Sequence, residues 1–314
     1  MYAFAAKRLG GLLLTMFVAS FAVYGAIYLS PGSPESVLFG SHPPPPAVRE
    51  QVRHYLGLDR PFLVRYVTWL GHVLHGDLGR SVISQQAVSD RIGGPLTVTL
   101  ALVGYAAILI VLFGVGLGLL SALRPGVVDA SVTGVVSLAT AMPAFVTAAL
   151  LTSFFAVRLG WFPAYGLDPG VGGWLHGLTL PAFSLAVISS GLVARVTRTA
   201  TREVLASDHV VTAEARGISR RRTIRSHVLR NAAGPVLSVT GLQIASLFAG
   251  AVVVEQAFGL NGLGGLLISS IEQKDFPVVQ AIALLLVTAF VVLNAVADVL
   301  VAALDPGRRL AVVR

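Results

Sequence analysis

Of 314 residues, 55% are hydrophobic and 12% are charged, with mean hydropathy +0.79; soluble domains carry roughly 25% charged residues, so this composition excludes one and sets an integral membrane protein. Cysteine is absent, which excludes disulfides and thiolate chemistry. The net charge of +8 does not point to nucleic acid, because the arginines cluster beside apolar runs, as membrane orientation requires.

A transmembrane helix needs about 20 apolar residues. The first candidate is Leu9–Leu29, preceded by Lys7 and Arg8. Its apolar stretch is longer than a signal-peptide core and no small-x-small cleavage site follows, so an uncleaved anchor is expected. The external segment Ser30–Pro95 is too long for a simple connection. It opens with Pro31-Gly32-Ser33-Pro34, and Pro43–Pro46 predict a stiff extended piece. Val48, Val52, Tyr55 and Leu56 then predict one short amphipathic helix, and Phe62, Tyr66, Trp69, Leu70 and Val73 a second. Both would lie on the membrane surface or cap the bundle.

Five more spans follow: Leu96–Leu120, Val132–Val157, Leu175–Val193, Val236–Ala257 and Val278–Leu304. Met142-Pro143 predicts a kink in the third. The fourth is the weakest, with His176, Pro181 and several serines. The expected organisation is a first transmembrane helix over 1–30, an external segment over 31–95 and a five-helix core over 96–314, with no internal repeat. The fold class is all-α. Nine arginines from Arg195 to Arg230 share the loop between the fourth and fifth spans, and Arg308, Arg309 and Arg314 form the tail. Positive charge stays inside, so this loop and both termini are expected in the cytoplasm.

The loop has internal order. Val211, Ala215 and Ile218 fall at helical spacing, Gly217 can break or turn the helix, and a second helical pattern starts near Arg220. A helix–Gly–helix element at a membrane face is suited to docking a partner. The chain has two lysines, Lys7 and Lys274, and neither closes a GxxxxGK[ST] phosphate loop. ATP-driven work would have to come from a partner.

His72 and His75 are three apart, but a metal site would need ligands beyond nearby Asp77, so a structural or solvated role is expected. No HExxH or GxSxG motif occurs. Ser189-Ser190-Gly191 reads as small residues at a helix contact rather than as an intramembrane nucleophile. Catalytic residues and a metal site are therefore not expected, and the chain is not expected to be an enzyme. On the fifth span Thr240, Gln243, Ser246 and Gly250 share about a third of the circumference. That stripe is either a pathway lining for a polar solute or ordinary interhelical packing. Glu255, near the outer end, should face protein or a water-filled cavity. Asn294 and Asp298 share a face of the sixth span, where Asp298 reads either as approaching the cytoplasmic interface or as a pathway residue.

Read in order, these motifs resemble the transmembrane permease subunits of ABC importers of the dipeptide/oligopeptide/nickel class. Ala213-Glu214-Ala215-Arg216-Gly217 is similar to the family's EAA loop, and His227–Asn231 with Pro235 to its continuation. Gly250–Leu267 and Lys274–Ala281 resemble the outer-gate loop and sixth helix. Leu304-Asp305-Pro306 resembles the terminal signature. Pro31–Pro34, Leu56–Pro61 and Gly76–Gly79 resemble the first external loop. Ser33, Leu260-Asn261-Gly262 and the Asp305-Pro306-Gly307-Arg308 terminus depart from the usual pattern.

The resemblance implies a type I importer permease fold in a bacterial inner membrane. It implies a second, homologous permease completing the pore as a heterodimer, two cytosolic ATPase subunits, and an external substrate-binding protein. ATP and Mg would sit on the ATPase subunits, with no cofactor on this chain. Ala213, Glu214, Ala215, Arg216, Gly217 and Ile218 would form the coupling loop. Glu255, Phe258, Gly262 and Gly264 would belong to the outer gate. Peptides are the commonest solute of the class; nickel, opines, glutathione and sugars use similar permeases. Membrane lipid is a further expected partner, for Arg220–Arg222. A secondary transporter is the alternative of a different class, but it would carry ionisable residues at mid-bilayer, whereas here the charges lie near helix ends.

Overall fold

The computed structural model describes residues 2–29 and 60–304. The proline-rich pieces at Pro31–Pro34 and Pro43–Pro46, the expected helix at Val48–Leu56, and the tail from Asp305 with Arg308, Arg309 and Arg314 lie outside the described residues. The described residues are helical, apart from loops and an isolated antiparallel bridge between Arg80 and Ala87. They divide into two compact units, one drawn mainly from Thr99–Leu260 and the chain from Ala289, the other from Gly11–Val98 and Asn261–Thr288.

Helix α1 spans Tyr2–Leu29, α2 Phe62–Leu74 and α3 Val88–Leu109. A π-helical turn at Ile110–Val115 carries α3 into α4, Gly116–Leu123. Next come α5, Val127–Ala141, and α6, Ala144–Leu151, which a second π-helical stretch extends to Arg158. Helix α7 runs over Gly170–Leu205, α8 over Asp208–Ala215 and α9 over Arg220–Thr223. A third π-helical turn, Ile224–Val228, leads into α10, Leu229–Ala257, followed by α11, Leu263–Glu272, and α12, Phe276–Leu304. Five helical runs are long and apolar enough to cross a membrane, and the pair α5 and α6 supplies a sixth span bent by 104°.

That bend has a local cause. Proline disfavours the helical region for the residue before it. Met142 is accordingly extended, at φ −94° and ψ 126°, and α6 starts afresh after Pro143, whose carbonyl accepts from Val146 and Thr147. The expected kink is a complete break.

The fourth span, the least hydrophobic by sequence, is the centre of the first unit. In α7, 72% of the apolar stretch is buried, against 11–44% in the other unbroken spans. Its polarity is hidden in protein rather than exposed to lipid. Small residues allow this: Gly177, Ala182, Ser184, Ala186, Ser190 and Ala194 are all buried, and small side chains let helices approach closely. Glycines on the facing helix do the same. A Cβ on Gly114 would stand 2.8 Å from Val193, and one on Gly118 only 2.5 Å from Thr197 and 2.6 Å from the Ala194 carbonyl. The helix has 36 residues, about 54 Å at 1.5 Å per residue. A hydrocarbon core is about 30 Å thick. The surplus carries α7 out of the apolar layer as a rod ending at the arginine-rich segment.

In the second unit α2 packs on α1. Tyr66 sits against Phe17, Phe21 and Tyr24, with ring centroids 6.0, 5.2 and 5.6 Å away, and its hydroxyl meets Ser20 Oγ at 2.8 Å. The start of α3 packs with α11 and the start of α12 through Val88, Ile92, Leu263, Val278 and Ile282. Buried Asp275 ties the same pieces together. It accepts from Ser81 Oγ, the Val82 backbone N–H at 3.0 Å and Arg91 at 3.3 Å.

Candidate functional site: the arginine-rich segment and the helices behind it

The segment after α7 forms two short helices hinged at one glycine. Helix α8 is anchored by Val210 and Ala213, which are 1% and 6% exposed. It ends when Gly217 takes φ +77°. The Ile218 N–H then reaches back to the Ala213 carbonyl at 3.2 Å. This bond from the second residue past the cap, Arg216, is the signature of a glycine-terminated Schellman turn. Ser219 is extended, and Thr223 N–H donates to its carbonyl at 2.9 Å, starting α9.

The stripe read from the sequence is offset from the anchoring face. Val211 and Ala215 are exposed, with Arg216 and Gly217 beside them, and Ile218 is half-buried. The segment thus turns an apolar and cationic surface outward while Val210 and Ala213 hold it down. His209 Nε2 and Asn231 Nδ2, 3.1 Å apart, tie it to the start of α10.

Behind this segment stands an ion cluster that sequence reading missed. Asp129, in the first turn of α5, accepts from Arg198 Nε at 2.6 Å and Nη2 at 2.8 Å. Arg202 Nη2 lies 2.8 Å from the same carboxylate, and Ser121 Oγ donates to it. Arg198 and Arg202 are one helical turn apart on α7, so both reach one partner. The available signal was a lone Asp opening a helix among apolar residues, but its arginine partners are 69 residues or more away and pattern alone does not pair them. Arg195, one turn back, donates instead to hydroxyls: Thr140 at 3.0 Å and Ser137 at 3.4 Å.

The polar stripe of the fifth span turns toward α7 within this chain. Thr240 is buried, Gln243 Oε1 accepts from Ser189 Oγ at 3.3 Å, and a Cβ on Gly250 would meet Leu185 at 2.8 Å. Ser246 donates to the carbonyl of Gln243 on its own helix at 2.8 Å. Gln243 and Ser246 stay half-exposed.

Glu255 faces protein, as its depth requires. It is fully buried and accepts from Thr99 Oγ1 at 2.6 Å. Phe258 is buried too, and its carbonyl accepts from Gly166 N–H at 3.2 Å. Gly262 precedes α11 in extended conformation and Gly264 lies in its first turn, both buried. The four outer-gate candidates divide between the units, with Glu255 and Phe258 in the first and Gly262 and Gly264 in the second. Asn294 donates to the Phe290 carbonyl of its own helix at 2.9 Å. His75 Nδ1 meets the Gly71 carbonyl at 2.7 Å, and among the described residues no three His, Asp or Glu side chains gather as a metal site.

Five apolar helices and one bent pair long enough to cross a membrane, with a hinged basic segment, describe a helical multi-pass membrane protein. Comparison with known proteins gives the family. The profile of the binding-protein-dependent transport system inner membrane component matches residues 114–310, and that of the corresponding N-terminal region matches 1–103. The chain is 37% identical over 310 residues to the glutathione transport system permease protein GsiC of Salmonella typhimurium, covering 96% of this chain and 97% of the relative. It is 38% identical over 315 residues to a putative peptide transport system permease protein of Brucella abortus, covering 98% and 99%.

Among solved structures, the MetNI methionine ABC transporter in inward-facing conformations aligns with a TM-score of 0.56 at 17% identity, over 68% of this chain and 96% of that chain. An amino acid ABC transporter aligns at 0.53 and 18%, over 68% and 93%. The chain therefore belongs to the family of binding-protein-dependent transport system inner membrane components. It is the permease subunit of an importer, a multi-pass protein of the bacterial inner membrane with the fold of ABC importer permeases. Such a subunit works with an ATPase and a substrate-binding protein. That membership sets aside the secondary-transporter reading.

Proposed function

We propose that this chain pairs with a second, homologous permease as a heterodimer that imports short peptides, including glutathione-like ones. The relatives named for glutathione and peptide transport support this solute class over nickel. Both termini and the arginine-rich segment face the cytoplasm, as the arginine asymmetry favours. Two ATPase subunits bind ATP and Mg; this chain binds neither and catalyses no reaction. An external binding protein delivers the cargo.

The coupling loop is Ala213–Ile218. The observation that carries this reading is the glycine turn at the end of α8: Gly217 at φ +77° closes a short helix that stands beyond α7, the most buried helix of the fold. Closure of the ATPase dimer pushes α8. The Asp129 cluster makes α7 and α5 move together, and α10 follows because it continues the same segment. The outcome is rigid-body switching of access between the two faces. Glu255 and Phe258, with Gly262 and Gly264, belong to the outer gate. Thr240, Gln243, Ser246 and Gly250 are the candidate pathway lining, with Gln243 and Ser246 its half-exposed polar side chains.

The test is uptake of labelled dipeptides and glutathione by the complete complex reconstituted with its binding protein. ATP-dependent accumulation is expected for the intact complex. Accumulation of nickel but of no peptide would overturn the solute class.

A further inference from the structure

Helices α3 and α4, α5 and α7 enclose a cavity of about 170 Å³ with apolar walls, including Leu109, Phe113, Ala139, Phe183 and Val187. Ser190 also lines it: it is 8% exposed, and among the described residues its Oγ has no hydrogen-bond partner. Toward the arginine-rich end the same elements form a second recess. It shares Val136 with the first and is the more polar of the two, with Thr133, Arg195 and Arg198 on its walls.

The two arginines differ. Arg198 is paired with Asp129, a carboxylate it shares with Arg202. Arg195 engages only the hydroxyls of Thr140 and Ser137, and among the described residues no carboxylate pairs with it. Around the recess Ile108, Leu112, Val135 and Leu138 are 62–65% exposed, a surface fit for hydrocarbon. Arg195 follows Gly191 of the apolar wall by one helical turn, about 6 Å along the axis. The pattern is an apolar slot with a cation one turn beyond it.

We propose that this bipartite recess holds an anionic phospholipid of the leaflet at the arginine-rich end, cytoplasmic in the orientation given above. One acyl chain fills the apolar cavity. The phosphate sits on Arg195, with the Ser137 hydroxyl beside it to donate to an oxygen; the Thr140 hydroxyl already donates to the Val136 and Ser137 carbonyls of its own helix, at 3.0 and 3.1 Å. Charge complementarity selects the lipid, since basic pockets between membrane helices on the cytoplasmic side take anionic head groups. The largely apolar walls favour an apolar occupant, and a soluble anion would leave that half empty. The lipid would join α5 to α7 beside the Asp129 cluster, so its occupancy bears on the stiffness of the rod behind the coupling loop.

The test uses the complete transporter in phosphatidylcholine nanodiscs doped with phosphatidylglycerol carrying a photoactivatable acyl chain. Cross-links are expected in residues 109–117 and 183–191, and unlabelled phosphatidylglycerol should compete them away. Arg195→Gln should lower this labelling about fivefold, the contribution of one basic residue near an anionic surface. Arg195→Lys should retain most of it, and Arg124→Gln, an exposed arginine outside the recess, should leave it unchanged. Ala139→Phe, which fills the cavity from its half-buried rim, should abolish it in a complex that still assembles with its ATPases. Labelling that is equal for phosphatidylcholine and phosphatidylglycerol in the wild type overturns the proposal. So does competition by inorganic phosphate alone, which would mark a soluble-anion site, or by peptide cargo, which would mark the recess as pathway. The wild-type competition arm decides even if a variant fails to assemble.

Discussion

Gly217 takes φ +77° in open space, so a side chain there meets no neighbour and the difficulty lies in the backbone alone. A β-branched residue resists that region, at a cost of ~1–3 kcal/mol. Gly217→Val is therefore expected to leave the protein in the membrane while abolishing ATP-dependent uptake. Normal uptake by a reconstituted Gly217→Val complex would reject the role of the turn. Glu255 gives a second residue-scale prediction. Thr99→Val removes a donor to a fully buried carboxylate, which should cost ~1.5–3 kcal/mol because hydrogen bonds to charged groups lie in that range. Thermal unfolding of the solubilised protein reads this directly; an unchanged midpoint would show that the hydroxyl contributes little.

Among the elements, α7 joins the bundle to the arginine-rich segment, and two contacts hold it. The first is steric. Gly118→Val would place atoms about where Thr197 and the Ala194 carbonyl already stand, and such overpacking costs ~1–3 kcal/mol. Reduced yield of assembled complex is the expected result; a wild-type yield would mean that α4 can shift away. The second contact is the Asp129 cluster. It is partly exposed, so solvent screens much of its contribution to stability. Asp129→Asn should therefore leave the complex assembled while weakening the link between α5 and α7. The expected signature is continued ATP hydrolysis with less solute moved per ATP, and an unchanged ratio would assign the cluster to stability alone.

The elements also show what pattern can carry. All six spans were legible because 20-residue apolar runs are a one-dimensional signal, and Pro143 announced its break because proline constrains its predecessor locally. The rank of α7 was not legible, since hydropathy does not separate a helix buried in protein from a poor span. The stripe on α10 was visible as a stripe, but spacing does not say which neighbour it meets; Leu185 and Ser189 of α7 decide that. The Asp129 partners were out of reach because they depend on tertiary pairing. The π-helical turns leave no mark in composition.

For the whole molecule, the account places the arginine-rich segment and both termini in the cytoplasm. Reporter fusions after Ala206 and after Arg314 should read cytoplasmic, and one near Pro45 external; an external reading at Arg314 would break the count of six spans. The central claim is that the exposed face of α8 and the Gly217 turn is where the ATPase subunit docks. The chain has no cysteine of its own, so a single cysteine at exposed Ala215 is a clean probe. Its reactivity toward a water-soluble thiol reagent should be high in the permease alone and strongly reduced once the ATPase subunits assemble, whereas a cysteine at exposed Arg124 should react equally in both. Equal reactivity of the Ala215→Cys protein with and without the ATPase would contradict the account.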